Sequence, residues 1–473
     1  MNKIIITFIG LGLILTGCQK FDEFNNNPNS PEDADPQFLL SNVLAEASDN
    51  QAYWGWHAGN FLAQYSSNLE FLPIDRYDLS NNEGLWNDTY RLLNDMQDIT
   101  NSPDGNEAYS AVCKILTAHQ VALLTDLWTD VPFFEALQGK TQGNFTPVFD
   151  NQEAIYTSEN GILDLLKQAV ATLETTSESI QGDLMYGGDL NKWVKFANSL
   201  RIRYLLRISD KMDVSDEMEA ALLGANVFTS NADNAVVPYL ASSPNQWTIY
   251  NEREGRYVDV RMSKTAEDIL TPLNDPRMEF YYKRTVNSDG GIAVYSGIPN
   301  GLSRENQLAY DLSDISLMGS FLRDQPDGVK GAFMTHAEFQ FCLAEAANKG
   351  LIPGADILYY QAGIEASFDF YGLEIPAEYL SNPLIFLDGT ADLERIMTQK
   401  WIASFMNGYE GWLDVRRTGF PTLTIPLDNL NGDVYPVRYR YPSTEQAVNA
   451  TNYNAAVSHI GGDNYNSKGW WEE

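Results

Sequence analysis

Helical periodicity runs through most of the 473 residues and limits this chain to a mainly helical fold. Apolar side chains recur every three or four residues, the spacing that places them on one face of an α-helix. The clearest case starts at Thr335, which forms a capping box with Glu338, and ends at Gly350. The predicted helices cover residues 37–49, 85–98, 107–128, 152–175, 190–210, 335–349, 355–371 and 390–407.

The last part of this helical pattern also indicates how the helices are connected. Pro353-Gly354 turns the chain between the helices at 335–349 and 355–371. This helix–turn–helix has about the 34-residue length of a tetratricopeptide unit, although the strict repeat signature is absent. We therefore expect an all-α fold built from degenerate tetratricopeptide-like pairs, lying mainly in 37–225 and 335–410.

Two stretches, 226–330 and 411–473, lack this periodicity and are dense in Gly, Pro, Asn and aromatic residues. Loops and short strands of that length exceed ordinary connections between helices, and binding surfaces are usually built on such segments. We expect the first stretch to be a loop-rich insertion that forms a ligand face and the second to be a C-terminal loop region. Both belong to a single predicted domain, residues 37–473.

The charge balance excludes two classes of partner. The formal net charge is −33, so the surface repels nucleic acid and anionic lipid headgroups. A hydrophobic content of 44% still supplies a sizeable core. Within that core, Cys113 and Cys342 occupy apolar helical patterns, which favours two buried free thiols over a disulfide.

The N-terminal sequence is typical of an export signal that ends in a lipid attachment site. Lys3 precedes an apolar run, Ile4–Leu15, which at about 1.5 Å per residue is too short to cross a bilayer core of about 30 Å. The sequence Leu-Thr-Gly-Cys that closes it resembles the bacterial lipobox, which makes Cys18 the lipidated first residue after removal of 1–17. Residues 18–36, rich in Asn, Asp and Pro, are predicted to be a flexible tether.

These pieces, in order, resemble the SusD/RagB-like family of outer-membrane nutrient-binding lipoproteins over essentially the whole chain. The start and the FANSLRIR segment are most similar to the SusD-like branch with the least defined substrates. The resemblance is carried by Cys18 with Asp22-Glu23, FNNNPNSPEDADPQFLLSNVL, LWNDTYRLLNDM, LTDLWTDVPFFEAL, KWVKFANSLRIRYLLRIS, LNDPRMEFYY, THAEFQFCLAEAANKG and QKWIASFMNGYEGWLDVRRTGFP.

The resemblance implies four degenerate tetratricopeptide pairs and an inserted ligand face. It also implies a lipid-anchored protein on the outer membrane that faces the cell exterior, binds a glycan or sometimes a peptide, and delivers it to a SusC-like TonB-dependent β-barrel. Such proteins do no chemistry. Two alternatives remain open from the residues alone: a lipid-anchored glycoside hydrolase on an α/α toroid, since a carboxylate pair has no short signature, and a helical-repeat scaffold for envelope assembly.

Aromatic residues make up 12% of the chain, and several lie among polar neighbours, as sugar-binding side chains do. Tyr77, Trp247 and Tyr250 are the strongest candidates because their surroundings look loop-like. Trp54 and Trp56 are equally compatible with a helix. The complete set of predicted ligand-binding residues is Trp54, Trp56, Tyr65, Asn68, Asp75, Arg76, Tyr77, Asn245, Trp247, Tyr250 and Arg253.

Other conspicuous residues are better explained by structure. Trp86, Tyr90, Trp193, Trp401 and Trp412 fall on helix stripes or framework motifs and are predicted to be core. Arg416-Arg417 is interpreted as an anchor for the C-terminal loop through buried carboxylates. No cofactor is expected, although the oxygen-rich loop Asp428–Asp433 leaves a structural calcium ion possible.

We predict that membrane attachment depends on Cys18, because its thiol is the acceptor that the lipobox-like motif offers to lipid. Cys18→Ala removes this acceptor and should move the protein into the soluble fraction on cell fractionation. Stable attachment needs more than one acyl chain, and the variant would lose those that Cys18 provides. Membrane retention equal to that of the wild type would contradict the predicted anchor.

Overall fold

The structure, a computed structural model, describes residues 34–70, 72–286, 291 and 293–472. The predicted signal, Cys18 and nearly all of the predicted tether therefore lie outside the described residues. The tether was expected to extend to Pro36, but Pro36 is the first residue of a helix. Asp35 caps that helix by accepting a hydrogen bond from the Gln37 backbone N–H at 3.0 Å.

Helices dominate the described residues, which confirms the predicted fold class. Those of eight or more residues are α1 Pro36–Trp54, α2 Glu83–Asn101, α3 Glu107–Trp128, α4 Ile162–Leu173, α5 Leu190–Ile208, α6 Ser215–Leu222, α7 Lys264–Leu273, α8 His336–Asn348, α9 Asp356–Phe370, α10 Asp392–Ala403, α11 Glu410–Thr418 and α12 Ala450–His459. Shorter α-helical turns cover Asn60–Leu62, Leu72–Asp75, Gly139–Gln142, Gln152–Thr157, Met278–Tyr281, Arg304–Gln307, Ser320–Asp324 and Ser443–Val448. A π-helix covers Gly55–Gly59, and 3-10 turns cover Leu223–Ala225, Asn231–Asp233, Thr248–Glu252, Arg256–Asp259, Leu312–Asp314, Tyr379–Ser381 and Trp470–Glu472.

Neighbouring helices in the chain pack on one another: α1 on α2, α2 on α3, α3 on α4 and α4 on α5. After the insertion, α8 packs on α5, α9 and α10, which joins the C-terminal pairs to the N-terminal ones. This nearest-neighbour arrangement is that of helical repeats. No helix in the described part of the chain is long and apolar enough to cross a membrane.

Several predicted element boundaries were wrong. The helix expected over 152–175 is split into Gln152–Thr157 and α4, because the backbone of Gly161 is extended where it precedes α4. Glycine fits there because a Cβ would lie 2.7 Å from the Ile155 carbonyl oxygen. The C-terminal stretch expected to be loop carries α11 and α12. Only half of the predicted capping box forms: the Thr335 hydroxyl accepts from the Glu338 N–H at 3.2 Å, but the Glu338 carboxylate bonds to Arg203 and Asn407.

The insertion holds a helix, α7, as well as short strands that attach it to the helical frame. The strands are β1 Ser66–Asn68, β2 Ala235–Pro238, β3 Val260–Met262, β4 Thr285–Val286, β5 Ala293–Val294 and β6 Lys330–Met334. They form three antiparallel pairs, β1 with β3, β2 with β6 and β4 with β5. Because β1 follows α1 and β6 precedes α8, two of these ladders fix the insertion to both ends of the frame.

The centre of the frame contains buried ion pairs between helices that are distant in sequence. Arg203 on α5 donates to both carboxylate oxygens of Glu338 on α8 at 2.6 and 2.7 Å. Arg207, one turn later, donates to Glu410 on α11 at 2.8 Å. Burial alone would raise the pKa of Glu410, but the guanidinium groups of Arg207 and Arg203 hold it below its usual value.

The remaining interpretations of the core are confirmed. Trp193 and Trp412 are fully buried, and Cys113 and Cys342 are buried free thiols. The arginine pair is structural: Arg416 is paired with Glu472 near the C-terminus at 2.7 Å, and Arg417 is paired with Glu345 on α8 and with Asp414.

We expect Arg203→Met to lower the free energy of unfolding by about 3–5 kcal/mol, because it leaves the Glu338 carboxylate buried without its main partner. Lys167→Met is the matched control: Lys167 and Glu217 are 2.7 Å apart, but both side chains are more than 40% exposed. That change should cost about 1 kcal/mol or less. Urea titration of both variants checks this, and equal losses would contradict a special role for the buried pair.

Candidate functional site

Two of the three strongest aromatic candidates from the sequence are buried. Trp247 has 0% and Tyr77 1% of its surface exposed, so the expectation that they face solvent is wrong. The Trp247 indole N–H donates to the Leu322 carbonyl at 2.9 Å, and its backbone N–H donates to Pro326. Trp247 therefore holds the insertion to the turn Ser320–Asp324 and offers no ring face to a sugar.

Trp56 and Tyr65 are also buried. The Trp56 ring stacks on Tyr257 with centroids 5.7 Å apart, and Tyr65 stacks on Trp401 at 4.3 Å. Their predicted role at a ligand surface conflicts with this packing, which uses their ring faces inside the protein.

Asp75 and Asn68, predicted to bind hydroxyl groups, form a buried knot instead. The Asp75 carboxylate accepts hydrogen bonds from the Ser67 hydroxyl, the Asn68 and Gly301 backbone N–H groups and the Asn300 amide, at 2.6–3.1 Å. Burial raises the pKa of Asp75 to about 6, although all four bonds lower it. The knot ties β1 to the 299–301 turn and has no face open to a ligand.

Arg76 and Asn245 also lie away from a shared site. Arg76 is half-buried, and its Nε donates to the Asp428 carbonyl at 2.6 Å, which fastens the C-terminal loop. Asn245 is exposed, and its backbone carbonyl accepts from Leu240 in a local turn. The structure does not bring these two side chains together with the other predicted residues.

The three remaining predicted residues, Trp54, Tyr250 and Arg253, are half-exposed and lie on neighbouring elements. The end of α1 packs against the 3-10 turn Thr248–Glu252. A bond of 3.2 Å between the His57 ring and the Glu252 carboxylate joins the two elements. We call the surface made by Tyr53, Trp54, His57, Tyr250 and Arg253 the aromatic ledge.

Within the ledge, the Tyr53 ring contacts two other rings, and the Tyr250 ring contacts an arginine. Tyr53 lies edge-on to Trp54 at 5.1 Å and against His57 at 4.2 Å. The Arg253 guanidinium lies over the Tyr250 ring, 4.1 Å from its centroid, and donates to the Tyr250 carbonyl at 2.8 Å. The ledge thus offers flat π faces beside hydrogen-bond donors, the combination that sugar rings and their hydroxyls require.

A local irregularity in α1 positions this surface. Gly55–Gly59 is a π-helix, a rare element that often occurs at functional sites. A Cβ on Gly59 would lie 2.0 Å from the Gly408 carbonyl oxygen, and one on Gly55 would lie 3.1 Å from Gly408. Only glycine allows this approach, which buries Trp56 and leaves Trp54 and His57 half-exposed.

Charged groups extend the ledge along the insertion. Burial is the main cause that raises the pKa of Tyr53. The Glu252 carboxylate raises it further and Arg256 lowers it, so both charges lie near that ring. Further along, burial raises the pKa of Asp259, with Glu70 adding to the effect and Arg256 and Arg304 opposing it. Arg304 is itself paired with Glu70, two residues after β1. The surface is therefore elongated and carries both signs of charge.

Sequence reasoning missed Tyr53 and His57. The prediction ended the first helix at residue 49, whereas α1 continues to Trp54 and the π-helix carries the chain to Gly59. Helical spacing from Tyr53 to His57, four residues apart, could have indicated that both lie on one face.

A metal cluster is not evident where the structure describes the chain. Among those residues, no group of three or more His, Cys, Asp or Glu side chains is placed to hold a metal ion. In the loop suggested for calcium, the Asp428 carboxylate accepts from Ser303 and Asn306, and Asp433 accepts from Asn429. Calcium binding there stays an untested prediction.

Comparison with known proteins agrees with this architecture. The SusD-like family model, described as "Starch-binding associating with outer membrane", matches residues 28–442. A SusD homologue from Bacteroides fragilis is 25% identical, with a TM-score of 0.82 over 93% of this chain and 99% of that one. A chitin-binding SusD homologue from Flavobacterium johnsoniae is 25% identical, with a TM-score of 0.77 over 92% of this chain and 97% of that one. Among curated proteins, none matches this chain.

Burial predicts opposite behaviour for two aromatic residues only three positions apart. Trp247→Ala should lower the free energy of unfolding by about 3–5 kcal/mol, because it opens a cavity and leaves the Leu322 carbonyl without its donor. Tyr250→Ala should change it by about 1 kcal/mol or less, since its ring is partly in solvent. Denaturant melts test this, and a stable Trp247→Ala protein would mean that the ring is not a structural clamp.

Proposed function

The chain belongs to the SusD-like family of outer-membrane nutrient-binding proteins, and we propose that it captures a glycan on the aromatic ledge. The bound oligomer is then delivered to a SusC-like TonB-dependent barrel. The half-exposed rings of Tyr53, Trp54 and Tyr250 carry this proposal, because stacking requires ring faces that solvent can reach.

The charge of the protein narrows the class of glycan. With 64 acidic and 31 basic side chains, the chain repels polyanions at long range. A neutral oligosaccharide avoids that repulsion and still finds donors and acceptors in Arg253, Glu252 and Arg256. The chitin-binding relative and the starch-binding description of the family support the same class.

The family and the leader sequence support a lipid anchor and a transporter as partner. Cys18 would hold the protein to the outer membrane through lipid, on the exterior side, and the tether between Cys18 and α1 would let it reach the barrel. The outer-membrane association in the family description supports this arrangement.

Binding without catalysis is the favoured activity. In the interior, Glu338 pairs with Arg203, Glu410 with Arg207 and Asp414 with Lys400, so these carboxylates are engaged in ion pairs. A glycoside hydrolase needs an acid and a second carboxylate that both flank the scissile bond. Incubation with the bound oligosaccharide should produce no new reducing ends, and their appearance would favour the hydrolase instead.

The scaffold alternative makes a different physiological prediction. Loss of a nutrient-binding protein should impair growth on one polymeric nutrient and leave the envelope intact. Normal growth on every polymer, together with a general envelope defect, would favour an assembly scaffold.

We expect Trp54→Ala and Tyr250→Ala each to weaken binding of the recognised oligosaccharide about tenfold or more, because truncating an aromatic anchor typically costs about 2 kcal/mol. Calorimetric titration with maltoheptaose and chitohexaose, beside an anionic oligogalacturonide, measures the affinity and the glycan class. Phe145→Ala is the matched control, since Phe145 is 77% exposed but lies outside the ledge. Unchanged affinity in both ledge variants would place the glycan elsewhere.

A further inference from the structure

A cavity of about 240 Å³ lies beneath the insertion, on the far side of the turn Ser320–Asp324 from the ledge. Phe321 on this turn lines the cavity, whereas Arg323, two residues on, donates to the Arg253 carbonyl at the ledge, at 3.0 Å. The turn Ser320–Asp324 therefore contributes to both the cavity and the ledge, but different residues line the two sites.

The cavity walls are mostly apolar and include several aromatic rings. Phe280, Phe321, Phe370 and Tyr371 are half-exposed around it, and Phe405 lies buried at its base. Phe280 lies 5.8 Å from Phe321 and 5.3 Å from Tyr371, centroid to centroid. A cavity of about 150 Å³ holds one benzene molecule, so this volume accommodates an aromatic ring with a short substituent.

One buried polar atom in the lining has an unused hydrogen-bonding capacity. Asn407 is 4% exposed, and its Nδ2 donates to the Glu338 carboxylate at 2.8 Å, which fixes the orientation of the amide. Its Oδ1 is buried and has no hydrogen-bond partner among the described residues. Such an acceptor is costly to leave unpaired, and a ligand that brings a donor would satisfy it.

The lining also contains a single charge. Lys330 is exposed, with its Nζ 5.6 Å from the centroid of Phe370, and no Asp or Glu is among the lining residues. In a chain with 64 acidic residues, a lining without a carboxylate provides a place where an anion is not repelled.

We infer that this cavity binds a small hydroxyaryl carboxylate. The aromatic ring packs among Phe280, Phe321 and Phe370, the hydroxyl donates to Asn407 Oδ1, and the carboxylate pairs with Lys330. An oligosaccharide fits poorly, because about 240 Å³ is too small for several sugar rings and most of the lining is apolar, so many of its hydroxyls would be unpaired. The inference is independent of the proposed glycan site, since the two linings differ.

The probe is para-hydroxyphenylpropionate, titrated against the whole mature protein by calorimetry. Saturable one-to-one binding is expected. Phenylpropionate, which lacks the hydroxyl, should bind at least about tenfold more weakly, because Asn407 Oδ1 is left unpaired. Tyrosol, which lacks the carboxylate, should bind about fivefold more weakly, the upper range for an exposed ion pair.

Two variants locate the binding. Ala403→Leu places a larger side chain into the cavity from the end of α10 and should abolish binding, whereas Ala171→Leu, at an exposed position on α4, should not. Lys330→Met should weaken binding of the probe about fivefold and leave the affinity for tyrosol unchanged. Urea titration of the same samples shows that they are folded.

Three results would overturn the inference: no saturable binding of the probe, equal affinity for all three compounds, or undiminished binding in folded Ala403→Leu protein. If the probe instead competes with the glycan, and Tyr250→Ala abolishes its binding, then the probe binds the ledge and the cavity is not its site.

Discussion

The buried bonds between Arg203 and Glu338 and between Arg207 and Glu410 are the constraint on which the rest of the fold depends. They join α5 to α8 and α11 across the whole insertion, so the N-terminal and C-terminal helices form one frame. Apolar packing alone tolerates sliding of one helix along another, whereas a bidentate arginine–carboxylate pair has a single good geometry. A fixed frame in turn gives the insertion fixed points of attachment.

The insertion uses those points through contacts that are specific to particular residues. β6 leads directly into Thr335 and Glu338, so the strand that pairs with β2 is continuous with the central ion pair. At the other end, the Asp75 knot ties β1 to the 299–301 turn. Between them, Trp247 fastens the turn Ser320–Asp324. The ledge and the cavity lie on the two sides of this turn, and both therefore depend on the same clamp.

Much of the frame could be predicted from sequence because its signals are local. The helix expected over 107–128 is α3 to the residue, since a long apolar stripe follows an Asn106 cap that accepts from the Tyr109 N–H. The split before α4 was missed because it depends on how closely Gly161 approaches the preceding turn. Helices α11 and α12 were missed because both are short and lie among loop-forming residues, where periodicity has too few repeats to be visible.

The binding surface was harder to predict because burial depends on partners far away in the chain. Trp247 stands among Ser, Asn and Gln, yet its indole N–H is satisfied by a carbonyl 75 residues later. Trp54 and Trp56 are separated by one residue and have opposite roles, because the glycines on either side of Trp56 pack on Gly408. No local pattern encodes that contact.

This difference also explains why the number of aromatic residues is a poor guide to the site. A frame stabilised by buried charges needs large rings around them to exclude water, and Arg207, Arg416 and Arg438 each lie within 6 Å of a tryptophan or tyrosine ring centroid. Rings of this kind add to the attraction at the arginine without facing solvent. The rings proposed to bind ligands lie instead beside charges that solvent reaches, as Tyr250 does under Arg253 and Phe370 beside Lys330. A partly exposed charge does not by itself mark such a ring, because Tyr257 is buried beside Arg323; the ring must be exposed as well.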